Sequence, residues 1–282
     1  MTKPVIAVVG SAMMDLTAYA KTLPGAGQTL VGDQFTTGFG GKGANQAVMA
    51  SIAGAEVFFI GKLGNDVFGD SIAKNFKERG IRDEYLQRDS LATGVAHIWV
   101  DQSGENRIII IPGANLAIDP NYAADAISEI PNLQIVIGQC EINQGVTLAA
   151  FKAAKARGAL TILNPAPFEP LSADLIAHSD WIIPNESEYE ALGNIEANII
   201  LTQGDKGVRH LNSNLVVDAI KVKPIDTTGA GDSFVGAFAA ALASGSELTE
   251  AMRFGCIAAG LSVTKKGAQS SYPTYAEIST FS

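Results

Sequence analysis

The feature that most constrains the fold is a series of short apolar runs, most of them followed by a helical pattern. Val5–Val9, Val57–Lys62, Ile135–Gly138, Leu160–Leu163, Trp181–Ile183 and Ile199–Leu201 are rich in Val and Ile and largely continuous rather than alternating. Helical patterns fall at about 43–53, 68–79, 143–157 and 186–192. A strand that is apolar on both faces must be covered on both, and parallel neighbours need a crossover, usually a helix. The expected fold is α/β, a doubly wound, mostly parallel sheet with helices on both faces. Such sheets bind ligands outside the carboxyl ends of their strands. The loops Gly10–Asp15, Asn164–Pro167, Pro184–Glu186 and Thr202–Gly204 all sit there.

Residues 15–39 and 91–112 break this rhythm. Gly94–Val100 and Asn106–Ile111 flank the turn Asp101-Gln-Ser-Gly-Glu105, a hairpin signal. We expect these stretches to form a small β lid that keeps water from the reaction, over a core made of 1–14, 40–90 and 113–282. The run Ile108–Ile111 is either a buried core strand or a lid face that a partner subunit covers.

A chain of 282 residues, 47% apolar and 17% charged, can bury the core of one enzyme-sized unit. A net charge of −9 with no basic patch argues against nucleic acid as a partner. Cys140 and Cys256 stand far apart without C-x-x-C spacing, which indicates neither a zinc site nor a disulfide framework. No window offers the ~18 apolar residues of a membrane span. Met-Thr-Lys-Pro leads straight into Val5 without a signal-like stretch, so a soluble, cytoplasmic protein is expected.

Two glycine clusters carry the chemistry. Asp226-Thr-Thr-Gly-Ala-Gly-Asp232 opens an apolar helical run, placing glycines and a carboxylate at a helix N-terminus. First-turn N–H groups favour an anion there. A carboxylate repels that anion and is better suited to deprotonating a nucleophile that attacks it, which points to phosphoryl transfer. An aspartate that merely complements the helix dipole is the other reading. The second cluster, Gly38-Phe-Gly-Gly-Lys-Gly-Ala-Asn-Gln-Ala47, also enters a helix. It lies outside the first βα turn, against a dinucleotide fold, and Lys42 precedes glycine rather than Ser or Thr, against a Walker A loop. Lys42 and Asn45 remain as donors beside a tight turn, suited to a polyhydroxylated ligand or simply solvated.

Together the clusters resemble the two signatures of the ribokinase family of sugar kinases. Gly113–Asn115, Asn164–Pro167, Pro184–Glu188, Thr202–Gly204 and Gly267–Pro273 fall in the family's order as well, so the likeness spans nearly the whole chain. It implies ATP-dependent phosphorylation of the 5-hydroxyl of D-ribose, with 2-deoxyribose as the alternative acceptor. Asp232 matches the family's catalytic base, and Gly229, Ala230 and Gly231 its anion hole. Met13, Asp15, Gly41, Lys42, Asn45 and Glu141 match positions around the sugar. Asn185 and Glu188 match an N-x-x-E element that helps order Mg²⁺, indirectly, and phosphate oxygens. Thr202, Gly204 and Gly207 match the nucleotide turn. Asp226, Thr228, Ser262, Lys265, Gly267 and Ser271 resemble a K⁺ site of mostly backbone oxygens. A homodimer through the lid is implied too.

Two departures bear on these expectations. Met13 stands where many bacterial ribokinases carry asparagine, and its thioether cannot replace an amide that reads a sugar hydroxyl. The segment Asn185–Asn198 is shorter than usual and leaves room for one short crossover helix. A phosphosugar kinase would want basic lid residues, of which Lys21 and Arg107 are the candidates. A nucleoside kinase would want lid aromatics, here Phe39 and Trp99. A non-catalytic sugar binder would not need Asp232.

Overall fold

Every strand of the largest sheet runs parallel to its neighbours, in the order β10-β9-β8-β1-β4-β5. In chain order the elements are β1 (Val5–Val9), β2 (Met13–Tyr19), β3 (Gln34–Gly40), α1 (Lys42–Ile52), β4 (Glu56–Gly64), α2 (Val67–Glu78) and β5 (Leu86–Asp89). There follow β6 (Gly94–Val100), β7 (Asn106–Ile111), α3 (Pro120–Glu129), β8 (Leu133–Gln139), α4 (Gln144–Ala156), β9 (Leu160–Asn164), α5 (Ala173–Ala177) and β10 (Trp181–Ile182). The chain ends with α6 (Glu186–Leu192), β11 (Ile200–Thr202), β12 (Val208–His210), β13 (Leu215–Val217), α7 (Ala230–Ala243), α8 (Leu248–Ser262) and α9 (Tyr275–Phe281). This computed structural model describes residues 3–281; the expected core reached past them at positions 1, 2 and 282.

The central strands carry two apolar faces, as their continuous hydrophobic runs require. Ile6 and Val8, with Val57, Phe59, Ile135 and Ile137, pack into the layer that holds α1, α7 and α8. Val5, Ala7 and Val9, with Phe58, Ile60 and Val136, pack against α3 and α4. The strand period of two thus assigns successive residues of β1 to opposite layers.

The segments that broke the rhythm form a separate four-stranded sheet, ordered β3-β2-β6-β7. β6 and β7 make the expected hairpin, pairing Val100 with Asn106, whereas β2 and β6 run parallel. This sheet begins at Met13 and takes in Gly40, so it reaches slightly beyond the segments 15–39 and 91–112. The loop expected over Gly10–Asp15 therefore gives way to strand at Met13. β11, expected within the parallel sheet, pairs instead with β12 in an antiparallel set ordered β11-β12-β13, and the bridges Ile182–Ile199 and Asn185–Thr202 link this region to the large sheet. The short segment before it forms the single helix α6. Among the described residues no helix is long and apolar enough to cross a membrane.

Candidate functional site

The geometry is set where α7 crosses α1. A Cβ at Gly236 would fall 2.5 Å from the Gln46 carbonyl, so glycine is what lets the two helices approach closely. That approach puts Asp232, in the first turn of α7, against the start of α1. Asn45 Nδ2 donates to one carboxylate oxygen of Asp232 and Gln46 Nε2 to the other, both at 2.9 Å. Gly229 caps α7 at φ 75°, a conformation other residues adopt poorly, and no side chain satisfies the first turn. Gly229, Ala230, Gly231 and Asp232 line a cleft of about 210 Å³ together with Lys42, Asn185 and Glu188. A helix start without a side-chain cap, opening onto a cleft, is a ready anion site.

Beside it lies an acidic pocket. The start of α1 packs on the loop after β1, where a Cβ at Gly43 would meet the Ser11 amide at 2.7 Å. Glu141, after β8, accepts from the Ser11 hydroxyl and from the Lys42 amide at 2.8 Å. Asn115 ties the same loop in place, accepting from the Ala12 amide at 3.0 Å and donating to the Ala12 and Pro112 carbonyls. Asp15 follows on β2. Burial and the charges of Glu141 and Asp232 raise its pKa to about 7, and burial also raises that of Glu141. Lys42 moves the other way: chiefly Asp232, then Glu141 and Glu188, hold its ammonium protonated, although burial opposes this.

This electrostatics predicts a pH dependence. If Asp15 holds a sugar hydroxyl, as the family resemblance implies, it is a better acceptor once ionised, and the sugar KM should fall as pH rises through about 7. Asp15→Asn should flatten that slope; a wild-type KM constant from pH 6 to 8 would contradict it. The raised value also means that the folded chain holds a proton which the unfolded chain releases above its usual 3.8. Stability from this group is present at low pH and lost as pH rises towards 7.

A second, apolar cavity of about 270 Å³ adjoins the cleft. Thr202, Gly204 and Gly207, the residues matched to a nucleotide turn, line it, with Ile220, Val222 and Ala259 among its apolar walls. Thr202, Thr227, Ala230 and Gly231 line both cavities, so they form one trough that leads to Asp232. Asn185 and Glu188 form a capping box on α6: Asn185 Oδ1 accepts from the Glu188 amide, and Glu188 Oε2 from the Asn185 amide, each at 2.8 Å. The N-x-x-E element thus has a local structural task while it faces the cleft. Burial raises the pKa of Glu188, which Lys42 partly offsets.

The residues matched to a K⁺ site lie on two loops joined by Asp226. Its carboxylate accepts from the Thr228 amide and hydroxyl and from the Gly267 amide. Burial opposes ionisation, but these donors outweigh it and hold the carboxyl below its usual range. Ser262 and Ser271 are fully buried, and the Lys265 ammonium reaches Glu277 at 3.6 Å, leaving its carbonyl as its candidate ligand. Oxygens are the only candidate ligands in this set, and hard cations such as K⁺ prefer oxygen. No cluster of three or more His, Cys, Asp or Glu able to hold a metal occurs among the described residues.

Strand alternation sorts the lid candidates. Met13 pairs with Gly40 and Gly94, and Asp15 with Gly38 and Ala96. Residues 13 and 15 share one face; Met14 and Leu16 lie on the other and pack on the core. Met13 is therefore on the Asp15 face, 2% exposed. Phe39 pairs with Met14, Trp99 with Ala18, and Arg107 with Trp99, so all three lie on the face away from Asp15. They are not placed to stack a base or bind a second phosphate beside it. Lys42, expected at the sugar, lines the cleft at the α7 N-terminus. Gln46, Asn164, Gln269, Ser11 and the walls of the apolar cavity had no assigned role in the sequence reading. Gln46 does sit inside the first glycine cluster, and Gln269 in the segment Gly267–Pro273, and that was the available signal.

The pfkB family carbohydrate kinase model matches residues 3–275. A ribokinase of Bacillus subtilis is 40% identical over 97% of each chain, and a deoxyribokinase of Salmonella typhi is 34% identical over 98% of each. The structure of an Arabidopsis thaliana ribokinase complexed with ribose and ATP superposes with a TM-score of 0.90 at 29% identity, covering 99% of this chain and 98% of the other.

Proposed function

The chain belongs to the pfkB family of carbohydrate kinases, and we propose that it phosphorylates the 5-hydroxyl of D-ribose at the expense of ATP. The observation that carries this reading is the position of Asp232. Its carboxylate stands where the trough meets the pocket of Asp15 and Glu141, at a helix start built to receive an anion. Asp15 and Glu141 accept sugar hydroxyls, and Asn45 offers its remaining N–H. Asp232 takes the proton of the 5-hydroxyl as it attacks, and the amides of residues 229–231 with the Lys42 ammonium stabilise the phosphoryl group in transfer. The apolar cavity suits the adenine ring and the turn at 202–207 the rest of the nucleotide.

Glu188 fits a magnesium ion held through water, since one of its oxygens already serves the capping box. When bound, Mg²⁺ neutralises phosphate charge. The oxygens around Asp226 fit potassium, which stiffens the turn bearing the anion site. Two buried, unpaired cysteines, Cys140 and Cys256, suit a reducing compartment, and we place the enzyme in the cytoplasm.

The test is a set of initial rates with ATP, Mg²⁺ and K⁺ on ribose, 2-deoxyribose, fructose and adenosine. Ribose should give the highest kcat/KM, and omitting monovalent cations should slow turnover. A tenfold preference for another acceptor overturns the assignment. The second reading, a deoxyribose kinase, rests on Met13, which shares the Asp15 face. Met13→Asn should move the ratio towards ribose by roughly 5- to 150-fold, the value of one satisfied hydroxyl. An unchanged ratio means that Met13 does not read the 2-position.

We also propose a homodimer through the lid. The edge strand β7 exposes every residue, and its four isoleucines are 45–59% exposed. An apolar edge of this kind calls for a partner. Sedimentation should give a dimer for the wild type and a monomer for Ile109→Glu; a monomeric wild type contradicts it.

A further inference from the structure

Asp232 stands at the meeting point of two lines of buried amides. On one side Asn75 Nδ2 donates to Gln269 Oε1 at 2.9 Å, Gln269 Nε2 to Asn45 Oδ1 at 3.0 Å, and Asn45 Nδ2 to Asp232. On the other, Gln139 Nε2 donates to Gln46 Oε1 at 2.8 Å and Gln46 Nε2 to Asp232. The second N–H of Gln46 goes to Asn164 Oδ1 at 3.1 Å, and Asn164 Nδ2 to the Ile183 carbonyl at 2.8 Å. All seven side chains are at most 8% exposed.

The direction of these lines is fixed at their ends. An amide can be turned over, but a carboxylate that accepts on both oxygens and a backbone carbonyl fix their donors. Asp232 therefore makes Asn45 and Gln46 present nitrogen, and each must then receive a donor on its oxygen. On the side branch, the Ile183 carbonyl makes Asn164 turn its nitrogen away from Asp232 and its oxygen to Gln46. Every amide dipole in both lines is aligned so that N–H groups point to Asp232, and aligned chains of buried hydrogen bonds strengthen one another.

We propose that Gln46, aligned by Gln139, is a positioning residue for phosphoryl transfer: it holds the Asp232 carboxylate aimed at the acceptor hydroxyl. Asn45 and Gln269 do the same from the other side. The line through Gln269 also ties the base to the loop 267–271, whose Gly267 amide reaches Asp226. Movement in that loop is therefore felt at Asp232 through a hydrogen-bonded path. The proposal rests on Asp232 being the base.

The experiment measures kcat and both KM values for Gln46→Met, alone and combined with Asp232→Asn, with thermal melting as the check on folding. Gln46→Met should lower kcat about 10- to 100-fold with both KM values within about threefold. In the Asp232→Asn background it should cost nothing further, since there is no base left to aim. Gln139→Met, which leaves Gln46 present without its aligning donor, should show the same split at about 3- to 10-fold. Wild-type kcat in Gln46→Met, or a loss that multiplies in full with that of Asp232→Asn, overturns the proposal. If Gln46→Met does not fold, Gln139→Met decides it, and wild-type kcat there overturns it. Failure of the premise looks different: Asp232→Asn alone then keeps near-normal turnover.

Discussion

Asp232→Asn should lower kcat about 10³-fold or more while the KM values for ribose and ATP stay within about threefold. The side chain keeps its shape but loses the oxygen proposed to take the proton. Uncharged, it no longer polarises the attacking hydroxyl. The substitution also exchanges one acceptor for an NH₂ group, which then faces a donor from Asn45 or Gln46. That mismatch bears on stability, so melting with and without ribose separates it from chemistry. A variant that melts earlier yet turns over normally would mean that Asp232 organises the site without acting as base. Measuring both quantities is essential.

The second large effect is expected at Lys42. Its ammonium makes no ion pair among the described residues, while Asp232, Glu141 and Glu188 hold it protonated from around the cleft. A cation kept charged but unpaired is poised for an incoming anion. Lys42→Met removes the ammonium that lines the cleft with Glu188 and Asp232, the proposed place of the phosphates. A loss of about 10²-fold or more in kcat/KM for ATP follows, the size seen when one oriented donor is removed from a transition state. The ribose KM should change much less, because Lys42 lines the cleft at the α7 N-terminus and its contact with Glu141 is made by its backbone amide. A variant with an unchanged ATP response and a raised ribose KM would return Lys42 to the sugar.

The two predictions mark what was legible in the sequence. Gly229–Asp232 could be read locally because glycine, carboxylate and helix start are adjacent in the chain. The parallel sheet was legible for a similar reason: continuous Val and Ile runs leave few other architectures. Positions that depend on distant partners were not. Glu141 meets Ser11 across 130 residues, and Gln46 meets Asp232 across 186. Only the crossing of α1 and α7 at Gly236 brings the second pair together.

Strand register decided the lid. Phe39 and Trp99 were candidates for stacking a base until their pairing with Met14 and Ala18 put them on the face away from Asp15. Sequence spacing alone does not give that parity, because a slip of one residue exchanges the faces. The walls of the apolar cavity gave no signal, since Ile220, Val222 and Ala259 look like ordinary packing. The capping box at Asn185 and Glu188 was different. Its N-x-x-E spacing is itself a helix-start signature, legible in the chain without any distant partner.

The most direct test of the central claim is the identity of the atom that is phosphorylated. Ribose labelled with ¹³C at carbon 5 should be converted with ATP and Mg²⁺, and the product examined by ¹³C and ³¹P NMR. Phosphorus coupled to the labelled carbon, at a rate that collapses in Asp232→Asn, is the predicted result. Phosphorylation at carbon 1, or ATP hydrolysis without a sugar phosphate, would contradict it.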